Sequence, residues 1–520
     1  MSHDPTDIDR QMDAGSLPSI VTSFGIRGLY GYRNISLESD YAATILIARN
    51  GSGKTTLLAA LDAFLRKQFF RLRELPFTEI FCTFRDYPTE LVLRKEDLEQ
   101  MLSIVENDAL SRVGRKIDVP PGALFKFITE EWPSFKSNIR YYSENKIFYS
   151  LVTAEGHSVA RAERVLDDLA SSIYQRVPAI SALVSVLDSV IGEYEIVYLP
   201  TYRRVELALS SEGHERPGRR RRPRFDLAAG SIFTSEIQFG LTDISERLEE
   251  LNNRIVNQSN NGYRKISANI INDLLDGSFD TGSDKQRNFP SREDLDLFFS
   301  RLEDRRHAGP YTVSPPNLDR IYSDHGIPPQ SLAFLHYFLS QLDTVIDATR
   351  EVERSVEDFV ESCNKYLSSY DPSADVVPNA EVPIDAKQLV ISRKNLKVSV
   401  ESIPDCRKIS LDALSSGEKQ MISLFAKLYL YQKPKIVLID EPELSLSIDW
   451  QRHILLDIVN APLCRQVVAI THSPFVFDNE LEPYARSIRL SMISSKAVFP
   501  SVDDDIEDLF GDDFRGDIDE

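Results

Sequence analysis

The chain has 520 residues, with 80 acidic and 60 basic side chains and a formal net charge of −20, and it is long enough for two or three domains. This charge argues against broad non-specific binding of duplex nucleic acid by the whole surface. The four cysteines lack metal-ligand or Cys-x-x-Cys spacing. Because the N-terminus is unlike a signal peptide and no apolar run approaches membrane-spanning length, we expect a cytoplasmic protein with no membrane segment.

The first predicted unit, residues 1–205, contains a phosphate-binding loop. An apolar run predicts a buried strand over residues 42–47, and an apolar face predicts a helix from residue 54. The loop between them matches the usual pattern except that Ala48 replaces the leading glycine. The residues expected to bind the phosphates of ATP are Asn50, Gly51, Ser52, Gly53, Lys54, Thr55 and Thr56. We expect the Thr55 hydroxyl to ligate Mg²⁺.

The second predicted unit, residues 206–380, is a mainly helical insertion. It begins with a basic run at residues 216–224, which is typical of a solvated loop; the alternative is a contact with nucleic acid or an acidic partner. An apolar stripe of about two heptads then predicts a helix, with the residues Leu241, Ile244, Leu248, Leu251 and Ile255.

A second helical pattern resumes after residues 259–262, which predicts a helical hairpin. Residues 276–316 are expected to be largely loop, and residues 331–367 a long helix. The insertion shows no nuclease or zinc pattern.

The third predicted unit, residues 381–500, returns to the sheet near residues 388–391 and carries three further motifs. The first, Leu-Ser-Ser-Gly-Glu-Lys-Gln at residues 414–420, opens a helix. Its serines are typical of an N-terminal cap, and the same geometry suits an anion.

The other two motifs follow buried strands. The strand predicted at residues 435–439 ends in Asp440, expected to hold Mg²⁺, and Glu441, expected to polarise the attacking water. The strand predicted at residues 466–470 is followed by His472. We expect His472 to contact the γ-phosphate or the attacking water.

The remaining predicted segment, residues 501–520, has ten acidic residues and one arginine. This composition is typical of acidic disorder. Leu509, Phe510 and Phe514 are interleaved with the acidic residues and could anchor the segment in a groove of an effector.

Together these motifs resemble the ABC-type ATPases of the SMC and RecF kind, over about residues 20–70 and 385–480. The resemblance implies an α/β fold: a P-loop ABC-type ATPase head, with a mixed sheet flanked by helices, an inserted mainly helical domain and no long coiled-coil arms. It makes residues 414–420 the signature motif, Asp440 and Glu441 the Walker B pair, and His472 the switch histidine. It also places Arg33 and Asn34 near the nucleotide.

In that family two heads enclose ATP between them. The resemblance therefore implies a homodimer or higher homo-oligomer, in which ATP on one phosphate loop is capped by Ser415 and Gly417 of the other copy. Hydrolysis through Glu441 would then release the pair.

A narrower resemblance is carried by residues 199–204, 414–420, 441–446 and 471–475. These segments are similar to stand-alone ATPases of bacterial antiphage systems, most of all PtuA of Septu and PtuAB retrons, and next AriA of PARIS. Such ATPases work with a separate effector nuclease, an HNH protein like PtuB or a TOPRIM-like protein such as AriB. Only 48 residues follow His472, too few for a TOPRIM domain, so we expect any nuclease to act in trans.

The sequence leaves two other functions open. One is a RecF-like DNA repair ATPase that acts on DNA. The other is a scaffold in which ATP is structural, although the presence of both Glu441 and His472 favours hydrolysis over this scaffold.

Overall fold

The computed structural model describes most of the chain. The described residues are 14–47, 51–103, 108–136, 145–200, 241–275, 289–302, 316–322, 328–368, 386–403, 405–410, 413–444 and 446–493. The predictions for Ala48, Asn50, the basic run and the acidic segment lie outside them. So do both predicted boundaries of the insertion.

The described residues form strands and helices in three sheets and two helical regions. The strands are β1 Val21–Leu29, β2 Arg33–Glu38, β3 Ala43–Ile47, β4 Glu79–Phe84, β5 Leu91–Arg94, β6 Glu195–Leu199, β7 Lys387–Ile391, β8 Val398–Ser402, β9 Lys408–Ile409, β10 Lys435–Asp440, β11 Cys464–Thr471, β12 Ala485–Ser487 and β13 Arg489–Met492. The helices are α1 Lys54–Leu65, α2 Lys95–Ser103, α3 Asp108–Ile117, α4 Pro121–Lys126, α5 Trp132–Lys136, α6 Lys146–Ala154, α7 Val159–Arg176, α8 Pro178–Ile191, α9 Leu241–Leu275, α10 Arg292–Leu302, α11 Leu318–Ile321, α12 Pro329–Leu367, α13 Ser416–Tyr429 and α14 Ile448–Val459.

A five-stranded parallel sheet is the centre of the head, with strand order β12-β3-β11-β10-β6. Its central strands are aliphatic and buried, as expected for a parallel sheet covered on both faces. Along β10, Ile436 and Leu438 face one hydrophobic core, while Val437 and Ile439 face another. The strands predicted from the sequence around Asp440 and His472 are confirmed.

A second sheet packs over one face of the first. It is antiparallel, with strand order β13-β2-β1-β4-β5, and α1 shares its hydrophobic core. The predicted α/β fold with flanking helices is confirmed. The fold is mixed because it combines a parallel sheet with an antiparallel sheet, and the two sheets share one hydrophobic core.

The opposite face of the parallel sheet is covered by α13, α14 and the near ends of α9 and α12. The small antiparallel sheet β7-β8-β9 adjoins this layer, with Leu389 and Val400 in its core. The apolar stripe of α9 is buried here as predicted, at Ile244, Leu248, Leu251 and Ile255.

The insertion is an antiparallel pair of long helices, α9 and α12. The predicted break at residues 259–262 is wrong, because α9 continues without interruption over 35 residues, about 52 Å. Gly262 packs closely against α12: a Cβ there would come 2.5 Å from Val345. Packing against α12 thus outweighs the low helix propensity of Asn and Gly.

The far end of this helix pair has its own hydrophobic core, which includes Ile266 and Leu342. Helix α10 packs there through Leu295, Phe298 and Phe299. The prediction of loop over residues 276–316 is therefore wrong at Arg292–Leu302, where the apolar face has a surface to cover. The long helix predicted at residues 331–367 is confirmed as α12.

A second helical region, α2 to α8, lies between β5 and β6 and was not predicted. Its apolar side chains join the core of the antiparallel sheet and α1. Among the residues that the structure describes, no helix is long and apolar enough to cross a membrane.

Candidate nucleotide-binding site

The site lies at the carboxyl edge of the parallel sheet, where ligand sites of open α/β sheets occur. Strand β11 runs between β3 and β10, with Thr471 in register with Ile47 and Asp440 in register with Ile470. The sheet therefore brings the loop after β3, the acidic pair after β10 and His472 to one edge.

The phosphate loop has the backbone that an anion site requires. Gly51 and Gly53 have φ values of 77° and 92°, in the left-handed region that glycine tolerates best. Gly53 directly precedes α1, so the N–H groups and dipole of the helix N-terminus face the loop. The buried Ser52 hydroxyl has no hydrogen-bond partner among the described residues. Thr55 is half-buried and Thr56 buried in the first turn of α1.

Lys54 is the cation of the loop, and its side chain is buried with only 6% of its surface exposed. Burial lowers its pKa, while the carboxylates of Glu441, Asp440 and Glu443 act in the opposite direction. No group of three or more His, Cys, Asp or Glu side chains could hold a metal ion by itself in the part of the chain that the structure describes. Thr55 and the buried Asp440 are the residues that would supply oxygen ligands to a Mg²⁺ also held by nucleotide phosphates.

His472 lies between the loop cation and the predicted general base. Its imidazole contacts Lys54 Nζ, which is 3.3 Å from Nδ1 and closer to Nε2. Its Nε2 is 3.6 Å from Glu441 Oε1. Three groups predicted from separate motifs thus form one cluster.

Glu441 has an unusual backbone conformation. Its φ is 54°, in the left-handed region, and its N–H donates to Ile470 O at 2.8 Å. A non-glycine residue held in this region costs on the order of 1–3 kcal/mol, and such residues cluster at functional sites. The hydrogen bond to β11 fixes this turn.

Sequence reasoning missed two residues that join the loops around this cluster. Glu443 Oε1 accepts hydrogen bonds from the backbone N–H groups of His472 at 2.8 Å and Ser473 at 3.1 Å. The Gln451 side chain donates to Glu443 O and Leu446 O, and it accepts from Ser473 Oγ at 2.8 Å. The indication in the sequence was that Glu443 follows the predicted general base, Glu441, by two residues.

Arg33 and Asn34 have different surroundings. Arg33 Nη1 donates to Gly51 O at 3.2 Å, so this side chain reaches the phosphate loop. Its guanidinium lies 5.3 Å and 5.4 Å from the ring centres of Tyr30 and Tyr32, both exposed. Asn34 Oδ1 instead accepts from Gly28 N–H at 2.9 Å and holds the β1–β2 turn.

The signature segment forms the cap that its sequence predicted. Ser415 and Glu418 form a reciprocal capping box, and Lys387 of β7 holds the Glu418 carboxylate at 2.7 Å. Ser415 is exposed and Gly417 buried. Because α13 and α1 pack on opposite faces of the parallel sheet, the structure does not bring Ser415 and Gly417 into the Lys54 cluster.

The end of β6 lies beside Asp440. A cavity of about 20 Å³ is lined by residues that include Leu199, Pro200, Gln420 and Asp440. Residues 199–204 carry part of the narrower resemblance, and residues 201–204 lie outside the described residues.

One known protein family matches part of the chain. The family described as "AAA domain, putative AbiEii toxin, Type IV TA system" matches residues 249–478. The matched segment includes α13, Asp440, Glu441 and His472, but not the phosphate loop. This segment is thus similar to an ATPase domain of the AAA type in the broad sense. No curated protein matches the chain.

Two solved structures align over most of the chain. One is the Smc head domain with an extended coiled coil, bound to the C-terminal domain of ScpA, from Pyrococcus furiosus: 10% identity, 91% of this chain, 96% of that chain and a TM-score of 0.30. The other is the SmcHead bound to the C-winged helix domain of ScpA: 10% identity, 92% of this chain, 98% of that chain and a TM-score of 0.28. The likeness is weak, and the fold assignment depends on this chain's own sheets and motifs.

Proposed function

We propose that this protein is a cytoplasmic ATP-binding and ATP-hydrolysing regulatory subunit of an antiviral defence system, which controls a separately encoded effector nuclease. The observation that carries the ATPase part is the cluster of Lys54, His472 and Glu441 at the carboxyl edge of the sheet. Two observations support the role in defence. The chain is similar to a family whose description names a toxin–antitoxin system, and its motifs resemble those of PtuA and AriA.

The residues suit hydrolysis of ATP to ADP and phosphate. Lys54 and the N-terminus of α1 hold the phosphates, and Thr55 and Asp440 would hold Mg²⁺, which neutralises phosphate charge. Glu441 accepts a proton from a water whose oxygen attacks the γ-phosphorus, while the bond to the bridging oxygen of ADP breaks. His472 orients this water or contacts the γ-phosphate.

Two copies of the chain enclose the nucleotides in this proposal. Ser415 is exposed at the N-terminus of α13, on a helix that packs on the other face of the sheet from α1. As the resemblance to the SMC and RecF ATPases implies, Ser415 and Gly417 contact the ATP on the phosphate loop of a second copy. Binding of two ATP molecules stabilises a homodimer, and hydrolysis releases it.

A pair of variants tests the ATPase and the dimer. Lys54→Ala should abolish ATP binding, and Glu441→Gln should lower kcat by about 100-fold or more while it keeps binding. ATP should shift Glu441→Gln to a dimer in light scattering but leave Lys54→Ala unchanged. Glu480→Gln, at an exposed glutamate, is the matched control. If the mass of Glu441→Gln in light scattering does not depend on ATP, the proposed dimer is contradicted. If both variants hydrolyse ATP at the wild-type rate, the proposed ATPase function is contradicted.

The effector requires a separate experiment. Co-expression with the nuclease encoded beside this chain should give a complex that cleaves nucleic acid, whereas this chain alone should not cleave it. Glu441→Gln should change the extent of cleavage by the complex. Cleavage by this chain alone, or no binding of the nuclease, would contradict the regulatory role.

A further inference from the structure

We infer that Glu443 and Gln451 are positioning residues that hold His472 against Lys54 and Glu441. This inference rests on the proposed ATPase function and adds to it a device in the same site. Neither side chain is among the groups expected to touch ATP or Mg²⁺. Together they are called here the Glu443–Gln451 clamp.

The clamp joins two loops that are distant in sequence. Glu443 belongs to the turn after β10, and its carboxylate accepts the N–H groups of His472 and Ser473, 29 and 30 residues further along the chain. A carboxylate that receives two backbone N–H groups forms charge-assisted hydrogen bonds, which are stronger than neutral ones. These bonds fix the backbone from which the His472 ring projects.

Gln451 adds a second attachment from α14. Its amide nitrogen donates to Glu443 O at 3.3 Å and Leu446 O at 3.1 Å, while its oxygen accepts from Ser473 Oγ at 2.8 Å. One side chain thus contacts the turn after β10 and the loop after β11.

The position of His472 needs this support. Its ring is about one-third exposed, and its backbone directly follows Thr471, the last residue of β11. The clamp keeps the ring in contact with Lys54 Nζ and 3.6 Å from Glu441 Oε1. Misplacement of a catalytic group by about 1 Å can lower a rate by about 100-fold.

Kinetics of single and double variants test the inference. Glu443→Ala should lower kcat by about 10- to 100-fold with the Kd for ATP changed less than about 3-fold, and Glu443→Gln should retain more activity because its amide oxygen can accept the N–H groups. In a His472→Ala background, Glu443→Ala should lower kcat less than about 2-fold further. Independent, multiplying losses would overturn the inference.

Hydrogen exchange tests the clamp without ATP hydrolysis. The peptide that contains His472 and Ser473 should exchange about tenfold faster in Glu443→Ala than in the wild type, with a smaller increase in Glu443→Gln. Glu480→Ala, an exposed glutamate eight residues after His472, should leave this peptide unchanged. Unchanged exchange in Glu443→Ala would overturn the clamp even in an active enzyme. If Glu443→Ala exchanges faster than the wild type but the wild type has no ATPase activity, only the proposed function is overturned.

Discussion

At the scale of residues, the turn after β10 combines the predicted general base, Glu441, with unfavourable backbone geometry. Glu441 combines a φ of 54° with a contact to His472, while Glu443 is buried enough that burial raises its pKa despite the N–H groups that bind it. Both features lower stability. They are held in place by the hydrogen bonds to β11 and to the His472 loop.

The backbone of Glu441 gives a prediction about stability. Glu441→Asn should raise the free energy of unfolding by about 1 kcal/mol, because asparagine tolerates the left-handed region better, and it should abolish hydrolysis. Glu441→Gln is the matched control, which loses the base but keeps the backbone cost. Urea denaturation measures the difference; equal stability of the two variants would show that the turn is not strained.

At the scale of elements, the connection from α13 to β10 contains a buried cation. Lys435 is 0% exposed, and its Nζ donates to Tyr431 O at 2.5 Å and Lys433 O at 2.7 Å. These carbonyls follow the C-terminus of α13, where a cation is favourable. Helix α13 and strand β10 are therefore joined at the end of the sheet opposite the site.

Lys435 gives a prediction about pH. Burial lowers its pKa from 10.5 to about 8, so between these pH values the unfolded chain holds a proton that the native protein has released. The free energy of unfolding should therefore rise with pH in this window, by at most about 3 kcal/mol. In Lys435→Met, the free energy of unfolding measured by urea denaturation should not show this rise between pH 8 and pH 10. The exposed Lys433→Met is the control and should keep it.

At the scale of the whole molecule, the head and the far end of the helical insertion have separate cores. Among the described residues, the core that includes Leu295 and Leu342 shares no member with the two cores of the head. The continuous helices α9 and α12 connect them, and α12 ends against α13 and α14. The Tyr366 hydroxyl donates to Asp457 of α14 at 2.6 Å at this junction.

A substitution at Gly262 tests whether the far end of the insertion is independent of the head. Gly262→Leu should destabilise the far end of the insertion by about 1–3 kcal/mol, because the new side chain overlaps Val345. Hydrogen exchange of residues 292–302 should increase, while the Kd for ATP changes less than about twofold. The neighbouring exposed Asn261→Leu adds the same side chain and should do neither. A large loss of ATP binding in Gly262→Leu alone would show that the insertion supports the site.

Much of the site could be predicted because its motifs are local. The φ values of Gly51 and Gly53, the helix at Lys54 and the strand before Asp440 follow from adjacent residues, and the structure contains each of them. The break predicted at residues 259–262 was wrong because α9 is stabilised by a helix some eighty residues away in sequence. Helices α2 to α8 were not predicted, because no functional motif accompanies their amphipathic patterns.

The sequence by itself determined the chemical groups of this protein: a phosphate loop, an acidic pair, a histidine and a capped helix, each specified by local backbone and side-chain requirements. Only the tertiary structure decided how they meet. The pairing of β11 with β3 and β10 brings His472 to Lys54 and Glu441, and the contact between Glu443 and His472 spans 29 residues. Such contacts depend on the packing of the whole sheet, which no local pattern encodes.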